Sequence, residues 1–170
     1  MKVGHYVNEK MEGPYLIPIP EFRRSMIRTE TLHEEDYREG MSDQLLEIDL
    51  SDKLMGFGDR VYPVAAGRDG TTPQGEFVIA EKWENPYWKM EGNLYLPTGS
   101  NPIGKYLIIL ADPETGVKIS GSIHRRATYP QKTQRFSCGV KTNGCIRMRV
   151  GDLKIFFREV ELGASVLIYE

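Results

Sequence analysis

The most constraining feature of this sequence is how short its apolar segments are. Seventeen glycines and ten prolines interrupt a chain of 170 residues. The stretches between them are rich in Val, Ile, Tyr and Phe, which is typical of strands, because a helix needs a longer apolar repeat without such breaks. The pattern predicts a mainly β protein with roughly ten short strands in a β-sandwich or barrel-like sheet.

One late segment has a helical repeat instead. Its apolar residues recur at every third or fourth position and so share one helix face; they are Leu153, Phe156, Phe157 and Val160. Asp152 is the predicted N-cap of this helix and Gly163 its predicted end. Strands are predicted around it and before it, over residues 45–50, 53–57, 60–67, 76–82, 106–111, 117–124 and 164–169.

The chain divides into two parts of different composition. Residues 1–44 are an N-terminal extension, with prolines over 16–20 and a highly charged stretch over 21–39 that we interpret as one helix. Residues 45–170 form the predicted β domain, whose length suits a single hydrophobic core. Residues 83–102, which hold both tryptophans, are predicted to be a long ordered loop rather than a linker.

Composition excludes several classes of partner. The 22 basic and 24 acidic residues give a formal charge of −2, so the chain lacks the basic excess of a nucleic-acid binder. Apolar runs such as 106–111 are far shorter than the ~20 residues that cross a bilayer. We therefore expect no integral membrane segment, and no secretory signal is visible at the start. Two cysteines are too few for a disulfide framework.

His124 is the histidine best placed for chemistry. It ends an apolar run over 119–123, so it lies where a strand leaves the core, and such a position suits a catalytic base facing a loop-built cleft. The alternative is a hydrogen-bonded histidine at a sheet edge. His5 and His33 lie in the polar extension and are expected at the surface.

Cys145 is the candidate nucleophile. It follows Asn143 and Gly144, a strong turn signal, and consecutive N–H groups around such a turn can converge on an oxyanion. Three alternatives remain open for Cys145. They are an inert buried thiol, a metal site with His124 and Cys138 at unusual spacing, and a bridge to Cys138.

These residues resemble the catalytic signature of the YkuD-type L,D-transpeptidases. The resemblance rests first on residues 123–124, 142–148 and Asp152. Further segments resemble the strands and central loop of the same family; they are residues 47–51, 53–55, 62–67, 72–77 and 101–104. Together these segments span residues 45–170, and they imply a YkuD-like sheet.

The resemblance implies a role for each site residue. Cys145 would attack the L,D peptide bond of a peptidoglycan stem tetrapeptide and release D-alanine, and His124 would be the base, oriented by the carbonyl of Arg125. The N–H groups of Asn143, Gly144 and Cys145 would form the oxyanion hole. Substrate contacts would come from the side chains of Arg147 and Arg125.

The resemblance also implies partners and a location. An amine acceptor would resolve the thioester, carbapenem-type inhibitors would acylate the cysteine, and no metal or other cofactor would take part. The substrate implies a periplasmic or cell-envelope location. Alternatives are an L,D-carboxypeptidase that uses water, a catalytically degenerate peptidoglycan-binding module, and a metal-binding or redox protein.

Three departures from the family pattern bear on these roles. Asn143 replaces the usual histidine and cannot exchange protons near neutral pH. Arg125 and Arg126 stand where small residues are usual and place two cations beside the base. The interval from His124 to Cys145 is 21 positions and contains Cys138, which predicts an enlarged loop with an incidental thiol.

Overall fold

The computed structural model describes residues 28–32, 42–67, 70–90, 93–95, 101, 103–119, 121–125 and 144–170. This part of the chain forms eleven strands and one helix. The strands are β1 (Arg28–Thr31), β2 (Leu45–Asp49), β3 (Leu54–Phe57), β4 (Arg60–Ala65), β5 (Gly75–Glu84), β6 (Trp88–Met90), β7 (Asn93–Tyr95), β8 (Tyr106–Ala111), β9 (Ile123–Arg125), β10 (Ile146–Met148) and β11 (Ser165–Tyr169). The helix, α1, is Val150–Glu159.

The main sheet closes on itself. Its strands lie in the order β1-β5-β11-β2-β3-β4-β10-β9-β8, and β8 also pairs with β5. β1 lies at an edge of this closed sheet. It pairs with residues 81–84 of β5, whereas β11 pairs with residues 75–78 of the same strand. Closing a sheet removes its exposed edges and encloses a core. The prediction of a mainly β, barrel-like sheet with one late helix is confirmed.

The core lies inside the closed sheet and is covered by α1. Inward-facing residues such as Leu46 and Ile48 are fully buried and alternate with more exposed ones along β2, as expected for a sheet with one apolar face. From the helix, Leu153 and Phe156 pack into the same cluster. The Phe156 ring meets the Phe57 ring edge to face, with centroids 5.2 Å apart.

β8 is buried on both faces, and this explains its unbroken apolar sequence. Ile108 and Leu110 join the main core. Leu107 and Ile109, on the opposite face, join a second apolar cluster outside the closed sheet. The other buried members of this outer cluster are Trp83, Tyr87 and Ile103.

The helix begins earlier than its sequence predicts. Arg149 is the N-cap and makes no side-chain capping bond, so the expected Asp152 cap is wrong. Asp152 lies in the first turn, where a negative charge still favours the helix dipole. After the last turn, Lys82 of β5 donates to the carbonyl of Val160 at 2.8 Å, which ties the helix end to the sheet.

The helix expected over 21–39 is wrong for residues 28–31, and the remainder, apart from Leu32, lies outside the described residues. Residues 28–31 form β1, which pairs antiparallel with β5. Thr29 is buried, and the N–H of Leu32 continues the pairing by donating to the carbonyl of Ala80 at 2.8 Å. The open edge of β5 overrides the weak local helical preference by offering backbone hydrogen-bond partners.

Two other expectations also change. The strand expected over 117–124 is shortened to β9, because the register against β8 slips by two residues between the Lys118–Ala111 bridge and the Ile123–Ile108 pair. The long loop expected over 83–102 starts within β5 and contains a hairpin of β6 and β7.

The helix packing generates a test of stability. Phe156→Ala removes a fully buried ring and is expected to lower the free energy of unfolding by about 3–5 kcal/mol. Ile155→Ala, on the exposed side of the same helix, is expected to cost less than about 1 kcal/mol. Urea unfolding followed by circular dichroism measures both, and equal losses would contradict this packing.

Candidate active site

The site is built on two parallel neighbouring strands. In the register of β9 and β10, Arg147 lies opposite His124. One step earlier, the N–H of Ile146 donates to the carbonyl of Ser122 at 3.0 Å. Continuing this register places Cys145, which directly precedes β10, opposite Ser122.

Alternation along the two strands separates the core from the site. Ile123, Ile146 and Met148 point inward and are fully buried in the main core. The residues between them therefore share the opposite face of the pair; they are Ser122, His124, Cys145 and Arg147. The fold thus brings together a histidine and a cysteine that are 21 positions apart in the chain.

His124 is held in one tautomer. Its Nδ1 lies 2.7 Å from the carbonyl oxygen of Arg125. A carbonyl oxygen only accepts hydrogen bonds, so Nδ1 carries the proton and Nε2 is left as an acceptor. This is the bond that the family resemblance implies, and it leaves the ring able to take a proton at Nε2.

The surroundings of His124 keep the ring neutral. Burial is the largest cause that lowers its pKa, to about 4, and the positive charges of Arg147 and Arg125 act in the same direction. The bond to the Arg125 carbonyl offsets part of this shift. At neutral pH the imidazole is therefore a neutral base.

The outer apolar cluster lies on the same face of the sheet as His124. Leu107 of that cluster lies opposite His124 in the β8–β9 register. Ile103 is another member, and the nearby Asn101 makes two side-chain hydrogen bonds. Asn101 accepts from the N–H of Ile103 at 3.0 Å and donates to the carbonyl of Pro86 at 2.8 Å.

The side chain of Arg125 contacts the same part of the chain. Its Nη2 donates to the carbonyl of Asn101 at 2.8 Å. Gly104, at φ +84°, lies so close that an added Cβ would clash with the Arg125 side chain. Arg125, assigned from sequence to substrate contacts, therefore also contacts Asn101 and Gly104.

Cys145 presents a half-buried thiol. Its Sγ lies 3.5 Å from the Oγ of Ser122, within hydrogen-bonding reach for sulfur. Sequence reasoning missed Ser122, although its position two residues before His124 places both side chains on the same face of a strand. Cys138, the other residue of the proposed bridge or metal site, lies outside the described residues.

The turn before Cys145 rests on the loop that follows β4. Gly144 is buried at φ +108°, a conformation that favours glycine. Its carbonyl accepts a hydrogen bond of 3.1 Å from the Thr72 hydroxyl, which in turn accepts from the N–H of Gly67 at 2.6 Å. From the sequence, Thr72 was noted only as part of residues 72–77, a segment that resembles the YkuD-type family. Asn143 lies outside the described residues, as do His5, His33 and Arg126.

Two absences among the described residues concern metals and membranes. Within those residues, no three His, Cys, Asp or Glu side chains come together in a group that could hold a metal ion. Among the same residues, no helix has the length and apolar character needed to cross a membrane.

A neutral histidine and a thiol on one face of a closed β sheet are features of an acyl-transfer site. Residues 43–168 match the family profile of the L,D-transpeptidase catalytic domain, YkuD, and the chain belongs to this family. It is 34% identical over 124 residues to YqjB of Bacillus subtilis (strain 168), whose name assigns it to the L,D-transpeptidases. That match covers 72% of this chain and 64% of YqjB, so the chain spans less than two thirds of this relative.

Solved structures show the same fold. The catalytic domain of the Enterococcus faecium L,D-transpeptidase, acylated by ertapenem, is 25% identical with a TM-score of 0.52. That match covers 76% of this chain and 98% of the domain. An L,D-transpeptidase from Mycobacterium tuberculosis H37Rv is 15% identical with a TM-score of 0.54, covering 75% of this chain and 57% of that one.

The lowered pKa of His124 predicts how stability changes with pH. The unfolded chain takes up this proton near pH 6.5 and the folded protein only near pH 4. The neutral ring makes its full contribution to the free energy of unfolding above pH 6.5. This contribution is lost as the pH falls towards 4. The total loss is roughly 3 kcal/mol.

Urea unfolding at a series of pH values between 4 and 7 measures this dependence. His124→Asn is expected to remove this part of the dependence of the free energy of unfolding on pH, whereas His33→Gln is expected to keep it. Equal slopes in the wild type and His124→Asn would contradict the assignment.

Proposed function

We propose that this chain is a cysteine-nucleophile L,D-transpeptidase that acts on peptidoglycan stem tetrapeptides through a thioester acyl-enzyme. The observation that carries the proposal is the shared face of β9 and β10. It combines the thiol of Cys145 with a buried, neutral His124 whose Nδ1 is bonded to a carbonyl. Acyl transfer from an amide requires a nucleophile, an oriented base and donors for the oxyanion, and a glycine turn can supply the donors.

The first half-reaction forms the acyl-enzyme. The Nε2 atom of His124 takes the proton of the Cys145 thiol while Sγ bonds to the carbonyl carbon of the L,D peptide bond. The N–H groups of Asn143, Gly144 and Cys145 stabilise the oxyanion. The C–N bond then breaks, and the proton passes from His124 to the amine of the departing D-alanine, which leaves a thioester.

The second half-reaction transfers the acyl group. An acceptor amine attacks the thioester carbonyl, and Nε2 of His124 takes a proton from that amine. The C–S bond breaks, a new amide forms, and the proton returns to Cys145. A neutral base in the resting state suits both steps because each begins with proton removal.

Charge around the site suits an acidic substrate. Arg147 shares the face of His124 and Cys145, and this shared face supports a role for its guanidinium in pairing with a carboxylate of the stem peptide. Arg125 adds positive charge from the neighbouring strand position, although its Nη2 also holds the carbonyl of Asn101.

A related structure supports a covalent inhibitor class. The Enterococcus faecium domain is acylated by ertapenem, and we propose that carbapenems acylate Cys145 here in the same way. Because the proposed substrate lies outside the cytoplasmic membrane, we also propose an envelope location, in the periplasm where the cell has one.

The choice of nucleophile is tested by acylation. After incubation with ertapenem, the wild type is expected to gain the mass of one inhibitor on the peptide that contains Cys145, because the thiol is the acylated group. Cys145→Ala is expected to gain none, whereas Cys138→Ala, which removes the other cysteine, is expected to react like the wild type. An adduct on Cys145→Ala, seen by mass spectrometry of the intact protein, would contradict the assignment.

The acceptor is tested with natural substrate. Incubation with disaccharide tetrapeptide is expected to yield cross-linked dimer and released D-alanine, because an amine captures the thioester. Mass spectrometry of the products separates three functions. Tripeptide without dimer would indicate an L,D-carboxypeptidase, and binding without either product would indicate a degenerate binding module.

A further inference from the structure

We propose that Thr72 is a positioning residue for acyl transfer, because its hydroxyl sets the orientation of the peptide bond between Gly144 and Cys145. In that orientation the N–H of Cys145 faces the oxygen of the reacting carbonyl. This inference rests on the proposed function and assigns a task to a residue outside the Cys–His pair.

The hydrogen bonds at Thr72 have only one consistent direction. The N–H of Gly67 donates to Oγ1 at 2.6 Å, and this occupies the hydroxyl as an acceptor. The hydroxyl proton is then donated to the carbonyl oxygen of Gly144, 3.1 Å away. Thr72 is 2% exposed, so bulk water cannot easily replace either bond.

Peptide geometry transmits this contact to the nucleophile. In a trans peptide the C=O of one residue and the N–H of the next point in opposite directions, and the described part of the chain contains no cis peptide bond. When Thr72 holds the Gly144 carbonyl on its own side, the N–H of Cys145 is directed to the other side. A change in the hydroxyl contact therefore rotates the donor that the oxyanion needs.

Close packing leaves this turn little freedom to reorient. A Cβ added at Gly67 would lie 2.7 Å from Thr72 Oγ1 and 2.8 Å from the Cα of Gly144. A Cβ at Gly121, which precedes β9, would lie 3.4 Å from Pro73 Cδ and 3.8 Å from the Gly144 oxygen. Three chain segments thus meet around one carbonyl, and Thr72 supplies the side-chain hydrogen bond between them.

The test compares two reactions of the same thiol. Acylation by ertapenem passes through an oxyanion, whereas alkylation by iodoacetamide is a displacement that forms none. Thr72→Val keeps the shape of the side chain and removes its hydroxyl. Since deleting an oxyanion donor costs about 10²- to 10³-fold in rate, misaligning one is expected to slow acylation about 10- to 100-fold.

Thr72→Val is expected to show a lower maximal rate of acylation than the wild type. Its half-saturating ertapenem concentration and its rate of alkylation are expected to stay within about threefold of the wild type. Thr72→Ser, which keeps the hydroxyl, is expected to acylate within about threefold of the wild type. Thr115→Val, a matched change in the exposed turn after β8, is expected to leave both reactions unchanged.

Several results would overturn the inference. They are acylation of Thr72→Val at the wild-type rate, an equal loss of acylation and alkylation, and a loss in Thr72→Ser as large as in Thr72→Val. A wild type that ertapenem does not acylate would instead overturn the proposed function, and the inference with it.

A second measurement needs no variant, in case Thr72→Val does not fold. In a structure of the wild-type ertapenem acyl-enzyme, the carbonyl oxygen of the thioester is expected within about 3.2 Å of the Cys145 nitrogen. The Thr72–Gly144 hydrogen bond is expected to be retained. A carbonyl oxygen directed away from that nitrogen would overturn the inference.

Discussion

The parallel pairing of β9 with β10 is the interaction on which the site depends. It sets Arg147 opposite His124 and brings Cys145 next to Ser122, although a long stretch of chain separates the two strands in sequence. Parallel strands hold their register only when a sheet fixes both of them, and here β8 and β4 flank the pair on either side. The closure of the sheet through β5 and β8 therefore also fixes the geometry of the candidate site.

The burial of His124 has a chemical consequence at this site. The outer apolar cluster covers the face of β8 next to His124, and the Arg125 guanidinium donates to the carbonyl of Asn101. Together with the nearby positive charges, burial disfavours the imidazolium ion, so the ring stays neutral. The carbonyl of Arg125 compensates only in part, and it selects which nitrogen carries the proton. The surroundings of His124 at the end of β9 thus set the tautomer, the charge and the orientation of its ring.

Prediction from sequence succeeded where the local pattern and the tertiary contacts agree. The alternating apolar residues predicted the strands β2 to β4, which the structure pairs as hairpins, and the repeat through Leu153 and Phe156 predicted the helix. It failed where a distant strand decides the outcome. Residues 28–31 lack a strand pattern of their own, and only the open edge of β5 makes them a strand. The register against β8 shifts by two residues between the Lys118–Ala111 bridge and the Ile123–Ile108 pair, which no local pattern encodes.

The sequence by itself determined the chemistry available to this protein: one cysteine after a glycine turn, one histidine at a strand end, and the family to which both belong. It also indicated the mainly β class, because short apolar segments broken by glycine and proline are typical of strands, whereas the closure of the sheet is seen only in the structure. Only the tertiary structure decided that Ser122 contacts the thiol and that Thr72 holds the Gly144 carbonyl. These contacts join segments far apart in the chain, so they follow from sheet register and loop packing rather than from local residue preference.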